Sequence, residues 1–443
     1  MADAFAKALK GLRSLPVLLR AAATLAGLAL WTYGASGSAI AYQFKDLYPL
    51  CAKTGCPDGS QPAGALVASA SGSIFGAALA GGSDGRGSLF ELTPDATHDV
   101  WTESFPDELC SLAKCADGVG FAALSVGATG PVYAVVGGGG AYCVEGSPQG
   151  CGAVVSLVQN NATHLWTRTV LYSFCKVAGC EDGAEPRGPL FVGGEGVLFG
   201  TTARGGAFGG GTVFRLDNVN GVWVETLLHN FCTQANCADG ANPQGRLIRD
   251  ALGNLYGTTL SGGSANSGTV YEITKSTHVV LYSFCSDFQC LGGGTPHGGV
   301  IFVGGNLYGT TSTNGGKGLG TAYELSILKG VWTDTPIYTF CSKSHCADGA
   351  QPMDGLVANS GGSLFGTTLS GGANGDYSGT AFQLTKQGQS WKQTVLYSFC
   401  AKPACADGVT PSSGLTLDAA GNLYGVAAGG GAHLNGVVFE LVN

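Results

Sequence analysis

Sixteen cysteines are the residues in this 443-residue chain whose type and spacing could first be expected to do chemistry. Fourteen of them form seven Cys-x4-Cys pairs: Cys51 with Cys56, Cys110 with Cys115, Cys175 with Cys180, Cys232 with Cys237, Cys285 with Cys290, Cys341 with Cys346 and Cys400 with Cys405. Thiolates at that spacing suit zinc only when a second pair converges on the same ion. Pairs spread over a repeating array stay apart, and in an oxidising compartment each closes a local disulfide instead. The remaining two, Cys143 and Cys151, sit in "GGGGAYCVEGSPQGC" and would pin an enlarged loop. Their separation is not the Cys-x-x-Cys arrangement of redox-active pairs. Eight disulfides and no metal are therefore expected.

Two residues beyond the second cysteine stands an Asp in six of the seven turns, Asp58, Asp117, Asp182, Asp239, Asp348 and Asp407, with Gly292 in the fifth. Asp-Gly loops can bind calcium, but one carboxylate repeated in almost every turn fits a cap on its own backbone better. The seven histidines, His98, His164, His229, His278, His297, His345 and His433, are scattered. No His-Glu-x-x-His, P-loop or dinucleotide fingerprint is present, so neither a cofactor nor a catalytic residue is indicated. Trp101, Trp166, Trp223, Trp332 and Trp391 recur at one equivalent position, with His278 close to it in the fourth unit. A sugar-binding Trp would stand in one or two units only, so these are read as packing residues.

The elements that position these turns follow from the repeat. Successive first cysteines lie 59, 65, 57, 53, 56 and 59 residues apart, a period characteristic of a radial or solenoid array. In the sixth unit "GLVAN", "SLFGTTL", "GTAFQLT" and "WKQTVLYSF" read as four short strands separated by Gly, Asn and Ser turns, the make-up of a propeller blade. The C-terminus supplies "GLTLD", "NLYGVA" and "GVVFELV" without a fourth strand. "YQFKDLYPLC", from Tyr42, aligns without gaps on "WKQTVLYSFC", from Trp391. The expectation is an all-β, seven-bladed β-propeller whose N-terminal strand completes the C-terminal blade, with Pro49 tolerated on an outer edge.

The phrases "GNLYGTTLSGG", "GTVYEIT" and "VLYSF" with "DG..P" resemble the tandem GloVer-type repeats of bacterial choice-of-anchor proteins, over roughly Tyr42 to Asn443. That resemblance implies an exported bacterial protein and carries no established activity or catalytic residues. A cysteine pair in every repeat, and no sorting segment after Leu441, depart from the pattern.

Residues 1–41 fall outside the repeat. Lys7, Lys10, Arg13 and Arg20 precede an apolar run from Ala21 to Trp31, and "SAIA" offers small residues before Tyr42. This reads as a secretory signal peptide, the run being short for a bilayer span. Residues 42–443 then carry 18 Lys and Arg against 29 Asp and Glu, a net charge of −11 that would repel nucleic acid and anionic membrane. A periplasmic or extracellular location is expected, with no membrane insertion of the mature chain.

A binding site should lie where the repeats disagree. Entry into the first strand follows the spacing Pro-x-x-x-Leu, as in "PRGPL" and "PQGRL", and in six units the residue after Pro is Ala63, Arg187, Gln244, His297, Met353 or Ser412. The second unit has Phe121 in place of Pro. Were the first strand innermost, these side chains would ring one mouth of a central channel. Arg187, Gln244, Arg246, His297, Met353 and Asp354 are the candidate ligand contacts. The function expected is that of a binding or scaffold module for a glycan, envelope component or protein. The alternative is a polysaccharide lyase or hydrolase, which would need carboxylates and a His or Arg converging in the funnel.

Overall fold

The computed structural model describes residues 42–443 apart from 111, 113, 114, 128, 129, 144–150, 161, 164, 195, 276 and 288. The expected signal peptide, residues 1–41, lies outside the described residues, as does His164. Residues 42–443 form one compact unit.

Seven antiparallel sheets follow one another, each with its strands in chain order from first to fourth. Residues of the first strands, or of the segments leading into them, from all seven blades line one shared cavity, which places those strands innermost. The last sheet is completed by Gln43–Pro49, which pairs with Val437–Val442 on the outer edge, Gln43 opposite Val442 and Pro49 opposite Val437. The ring is thus closed as expected, and Pro49 lies on a strand with no outer neighbour.

The repeated phrases each have a packing cause. In "LYGTT" the glycine lies beneath the aromatic ring of the third strand: a Cβ at Gly257 would come within 2.5 Å of the Tyr271 hydroxyl oxygen. In five of the seven turns the residue before the first cysteine is a Phe buried against that same ring of the next blade; in the other two it is Leu50 and Leu109. Phe174–Phe214, Phe231–Tyr271, Phe284–Tyr323, Phe340–Phe382 and Phe399–Phe439 are all edge-on, with centroids 5.0 to 5.1 Å apart. Such pairs contribute roughly 0.5–1.5 kcal/mol beyond their burial.

The cysteine turns are scaffold, and every expected pairing is present. Cys51 is bonded to Cys56, Cys110 to Cys115, Cys175 to Cys180 and Cys232 to Cys237. Cys285 is bonded to Cys290, Cys341 to Cys346 and Cys400 to Cys405, while Cys143 and Cys151 close the enlarged loop of the second blade. No free cysteine remains. Both cysteines of every Cys-x4-Cys turn adopt left-handed φ, between 48° and 65°, which side chains with a Cβ disfavour. The Asp offsets that cost by capping the turn. Asp58, Asp182, Asp239, Asp348 and Asp407 each accept from the backbone N–H just after the first cysteine, at 2.6 to 3.0 Å. These carboxylates are spent on capping, and among the described residues no group of three or more His, Cys, Asp or Glu could hold a metal.

Candidate functional site at the central mouth

In blades 3 to 7 the innermost strand is interrupted where the variable residues lie, whereas in blades 1 and 2 it is one strand, Ser60–Ala68 and Val119–Val126. In blade 3 its two pieces, Ala184–Pro186 and Phe191–Gly194, pair with opposite ends of Val197–Arg204, leaving residues 187–190 between them. Blade 4 repeats this with Ala241–Pro243 and Ile248–Arg249. In blades 5, 6 and 7 the outer piece is reduced to a single bridge. The four-strand pattern holds, but the first strand breaks at the residues proposed as contacts. The cause is crowding at the axis. A Cβ at Gly188 would come within 2.5 Å of the Gln244 carbonyl oxygen, so these segments meet backbone to backbone.

The second strands fix those segments. In blades 4, 5 and 6 the first Thr of "GTT" donates to the carbonyl two residues past the proline of the next blade, while Thr201 of blade 3 has no such partner. Thr258 reaches Gly298 at 2.9 Å, Thr310 reaches Asp354 at 2.6 Å and Thr367 reaches Ser413 at 2.6 Å. Each such bond contributes about 1 kcal/mol and sets the height at which the variable side chains emerge.

One cavity of about 200 Å³ is the result, lined by all six variable residues, Ala63, Arg187, Gln244, His297, Met353 and Ser412, together with Arg246 and Asp354. The side chain of Phe121 lies outside the described residues, and Ala123 represents the second blade. Arg187 pairs with Glu185 at 3.3 Å, and Gln244 donates to Asn242 at 2.8 Å. Burial holds His297 below the usual imidazole range, so it is neutral at pH 7. Arg246 is ringed by protein yet open to solvent in the mouth; burial lowers its pKa, opposed by the charge of Asp354.

Asp354 breaks the repeat in an informative way. Gly64, Gly188, Gly245 and Gly298 occupy its position in other blades. Its carboxylate bridges two backbones, accepting from Gly355 N–H at 2.6 Å and from Gly414 N–H of the next blade at 2.7 Å. Burial raises its pKa, and those two bonds and Arg246 pull the other way. The mouth therefore presents two guanidinium groups, an amide, a neutral imidazole and a carboxylate already engaged by the backbone. This is equipment for holding a small polar or anionic group.

Sequence reasoning missed a second set of residues. On each fourth strand, two residues past the Trp position, a side chain crosses to the cysteine turn of the preceding blade. Glu103 accepts from Tyr48, Glu225 accepts from Tyr172, and Gln393 donates to the Asp348 carbonyl. Arg168 pairs with Asp117. In the fourth blade the residue is His278, which stacks on His229 with centroids 3.9 Å apart and planes at 2°. Two of the scattered histidines are thus neighbours. Burial lowers both, His278 to about 4. In the fifth blade it is Asp334, which lies where the missing Asp of the fifth turn would be, against Gly292. Burial pushes Asp334 up to about 7, the Tyr282 hydrogen bond opposing. Variation at one repeat position was the available signal.

Among known protein families, the pattern described as Gloeobacter/Verrucomicrobia repeat matches residues 21–249, 123–346 and 253–443. No curated protein matches the chain. Among solved structures, one similar chain is a putative oxidoreductase (glucose dehydrogenase) from Thermus thermophilus. It is 16% identical with a TM-score of 0.42, covering 90% of this chain and 100% of that one. Another is a putative 6-phosphogluconolactonase from Bacteroides uniformis, 14% identical with a TM-score of 0.47, covering 76% and 84%.

Proposed function

The chain belongs to the Gloeobacter/Verrucomicrobia repeat family, and from that premise we propose that it is an exported binding module whose central mouth holds the polar or anionic end of a glycan or envelope component. The observation that carries this reading is the convergence of six repeat-variable side chains, with Arg246 and Asp354, in one cavity of about 200 Å³. A symmetric frame supplies the positions and only the side chains differ, as in a site grafted on a scaffold. The volume is below that of ordinary small-molecule pockets, so it suits one terminal residue of a larger ligand.

Export is supported by eight disulfides in a chain with no free cysteine. No described helix is long and apolar enough to cross a membrane.

A second reading, a lyase or hydrolase of polysaccharides, draws on Asp354, His297 and Arg246 sharing the mouth. Against it, both oxygens of Asp354 accept backbone N–H groups, which leaves His297 as the group available for proton transfer. Screening residues 42–443 against acidic and neutral glycan panels, with product analysis, separates the two. Binding without product is expected. Replacing Arg187, Gln244 and His297 together by Ala should weaken binding at least about tenfold, or about 1.4 kcal/mol, at an unchanged melting temperature. Unchanged affinity would refute the site, and turnover lost on His297→Ala would establish the enzyme.

A further inference from the structure

At six of the seven blade interfaces an aromatic side chain from the fourth strand fills the groove over the second-strand aromatic of the preceding blade. Trp101 meets Tyr424, Trp166 meets Phe75, Trp391 meets Tyr308 and Tyr42 meets Phe365, with centroids 5.5 to 6.2 Å apart. Trp223 shares a cluster with Tyr133, and Trp332 shares one with Tyr256. The interface between blades 3 and 4 breaks the rule. There the hairpin joining the third and fourth strands is four residues shorter than that of blade 6: twelve residues separate Ile273 from Cys285, and sixteen separate the equivalent Leu384 from Cys400. It closes at once, Thr274 N–H donating to the Thr277 carbonyl at 2.9 Å. Ser276 stands at the Trp position of the sequence and lies outside the described residues. The 53-residue spacing of the fourth unit, the shortest of the series, is this deletion.

The groove that the Trp would fill is a cleft of about 510 Å³. Phe199, the second-strand aromatic, forms its floor, and Leu227, Leu255 and Ile273 line it. Two guanidinium groups lie over the Phe199 ring, Arg215 at 5.7 Å and Arg249 at 5.5 Å from its centroid. Arg215 is paired with Asp217 at 2.6 Å. Arg249 bonds only the Gly253 carbonyl, and exposed Lys275 has no ion pair among the described residues. In blade 6 the residue equivalent to Lys275, Lys386, lies over the Trp391 ring, 5.6 Å from its centroid. Lys275 lines the cleft.

We propose that this cleft is a second binding site, taking a planar aromatic carboxylate of one or two rings. The ring would occupy the slot that an indole fills elsewhere in the molecule, beside the Arg215 and Arg249 guanidinium groups that lie over Phe199. The carboxylate would meet Arg249 and Lys275, an unpaired cationic couple on a chain of formal net charge −8. The volume lies in the range of small-molecule pockets. Isolated Arg and Lys on a surface are ordinarily solvated charges. Here they flank a slot whose shape is set by an omitted residue.

The test is titration of residues 42–443 with indole-3-carboxylate by calorimetry, beside neutral indole and cyclohexanecarboxylate, and beside galacturonate on the variant in which Arg187, Gln244 and His297 are replaced by Ala, so that the central mouth does not contribute. Submillimolar binding of indole-3-carboxylate is expected, with each of the other three at least about tenfold weaker. Two variants locate it. Arg249→Ala with Lys275→Ala, both surface changes, should weaken binding at least tenfold. Replacing residues 274–277 by the blade 6 hairpin, residues 385–392, returns a Trp to the slot and should abolish binding. Arg187→Ala at the central mouth should leave it unchanged. No binding of indole-3-carboxylate, equal binding of galacturonate, or affinity indifferent to the double variant would overturn the proposal.

Discussion

Gly292 offers a direct test of how neighbouring blades are latched. In the structure the Asp334 carboxylate occupies the space an Asp side chain would need at position 292. Gly292→Asp therefore brings a second carboxylate against one whose folded pKa is about 7. At a separation of about 4 Å and an effective dielectric of about 20, two charges would repel by about 4 kcal/mol. The molecule escapes by protonating Asp334, which costs about 1.4 kcal/mol at pH 8 and almost nothing at pH 6, given one pH unit per 1.36 kcal/mol. The sign follows from linkage. A carboxylate with a raised folded pKa loses stability as pH rises from its unfolded pKa to its folded one, and the variant extends that loss above pH 7. Urea denaturation at pH 6 and pH 8 should show the variant losing about 1.4 kcal/mol more than the parent at the higher pH. Adding Asp334→Gln copies the Asp348 and Gln393 pair of the next interface, where Gln393 donates at 3.1 Å, and should erase the pH dependence. A penalty equal at both pH values, or one that survives Asp334→Gln, would refute the assignment of Asp334 as the stand-in for the missing cap.

Glu225→Gln should stabilise the fold by about 1 kcal/mol at pH 8, after discounting for solvent screening, and leave it unchanged near pH 4.5. Burial raises the folded pKa of Glu225 to about 7, and one Tyr172 hydroxyl faces both it and Asp182, so urea midpoints at the two pH values check this. Deleting residues 42–50 should lower the melting temperature by well over 5 °C in calorimetry, because Val437–Val442 would lose its partner strand and the ring its closure. A shift within error would mean that the clasp contributes nothing.

The fold was legible because it is written within each unit. Alternation in "LYGTT", the Cys-x4-Cys turn and the ungapped match of Tyr42–Cys51 to Trp391–Cys400 are properties of contiguous chain, and they led to blades, disulfides and closure. The ring of variable residues was legible for the same reason: a fixed offset from Pro places Arg187, Gln244 and His297 at one height once the first strand is innermost. What the sequence left out is where one blade meets the next. Glu103, Arg168, Glu225, His278, Asp334 and Gln393 look like unconstrained positions of a half-exposed strand. Their partners lie about fifty residues earlier in the chain, and only the angle between blades brings them to the turns. The same holds for Asp354, a substitution at a glycine position until Gly414 of the next blade is seen to donate to it. The open cleft over Phe199 was visible in the sequence only as the shortest spacing of the series. Periodicity records register along the chain; the packing of curved sheets side by side decides which side chains share a space, and which space is left empty.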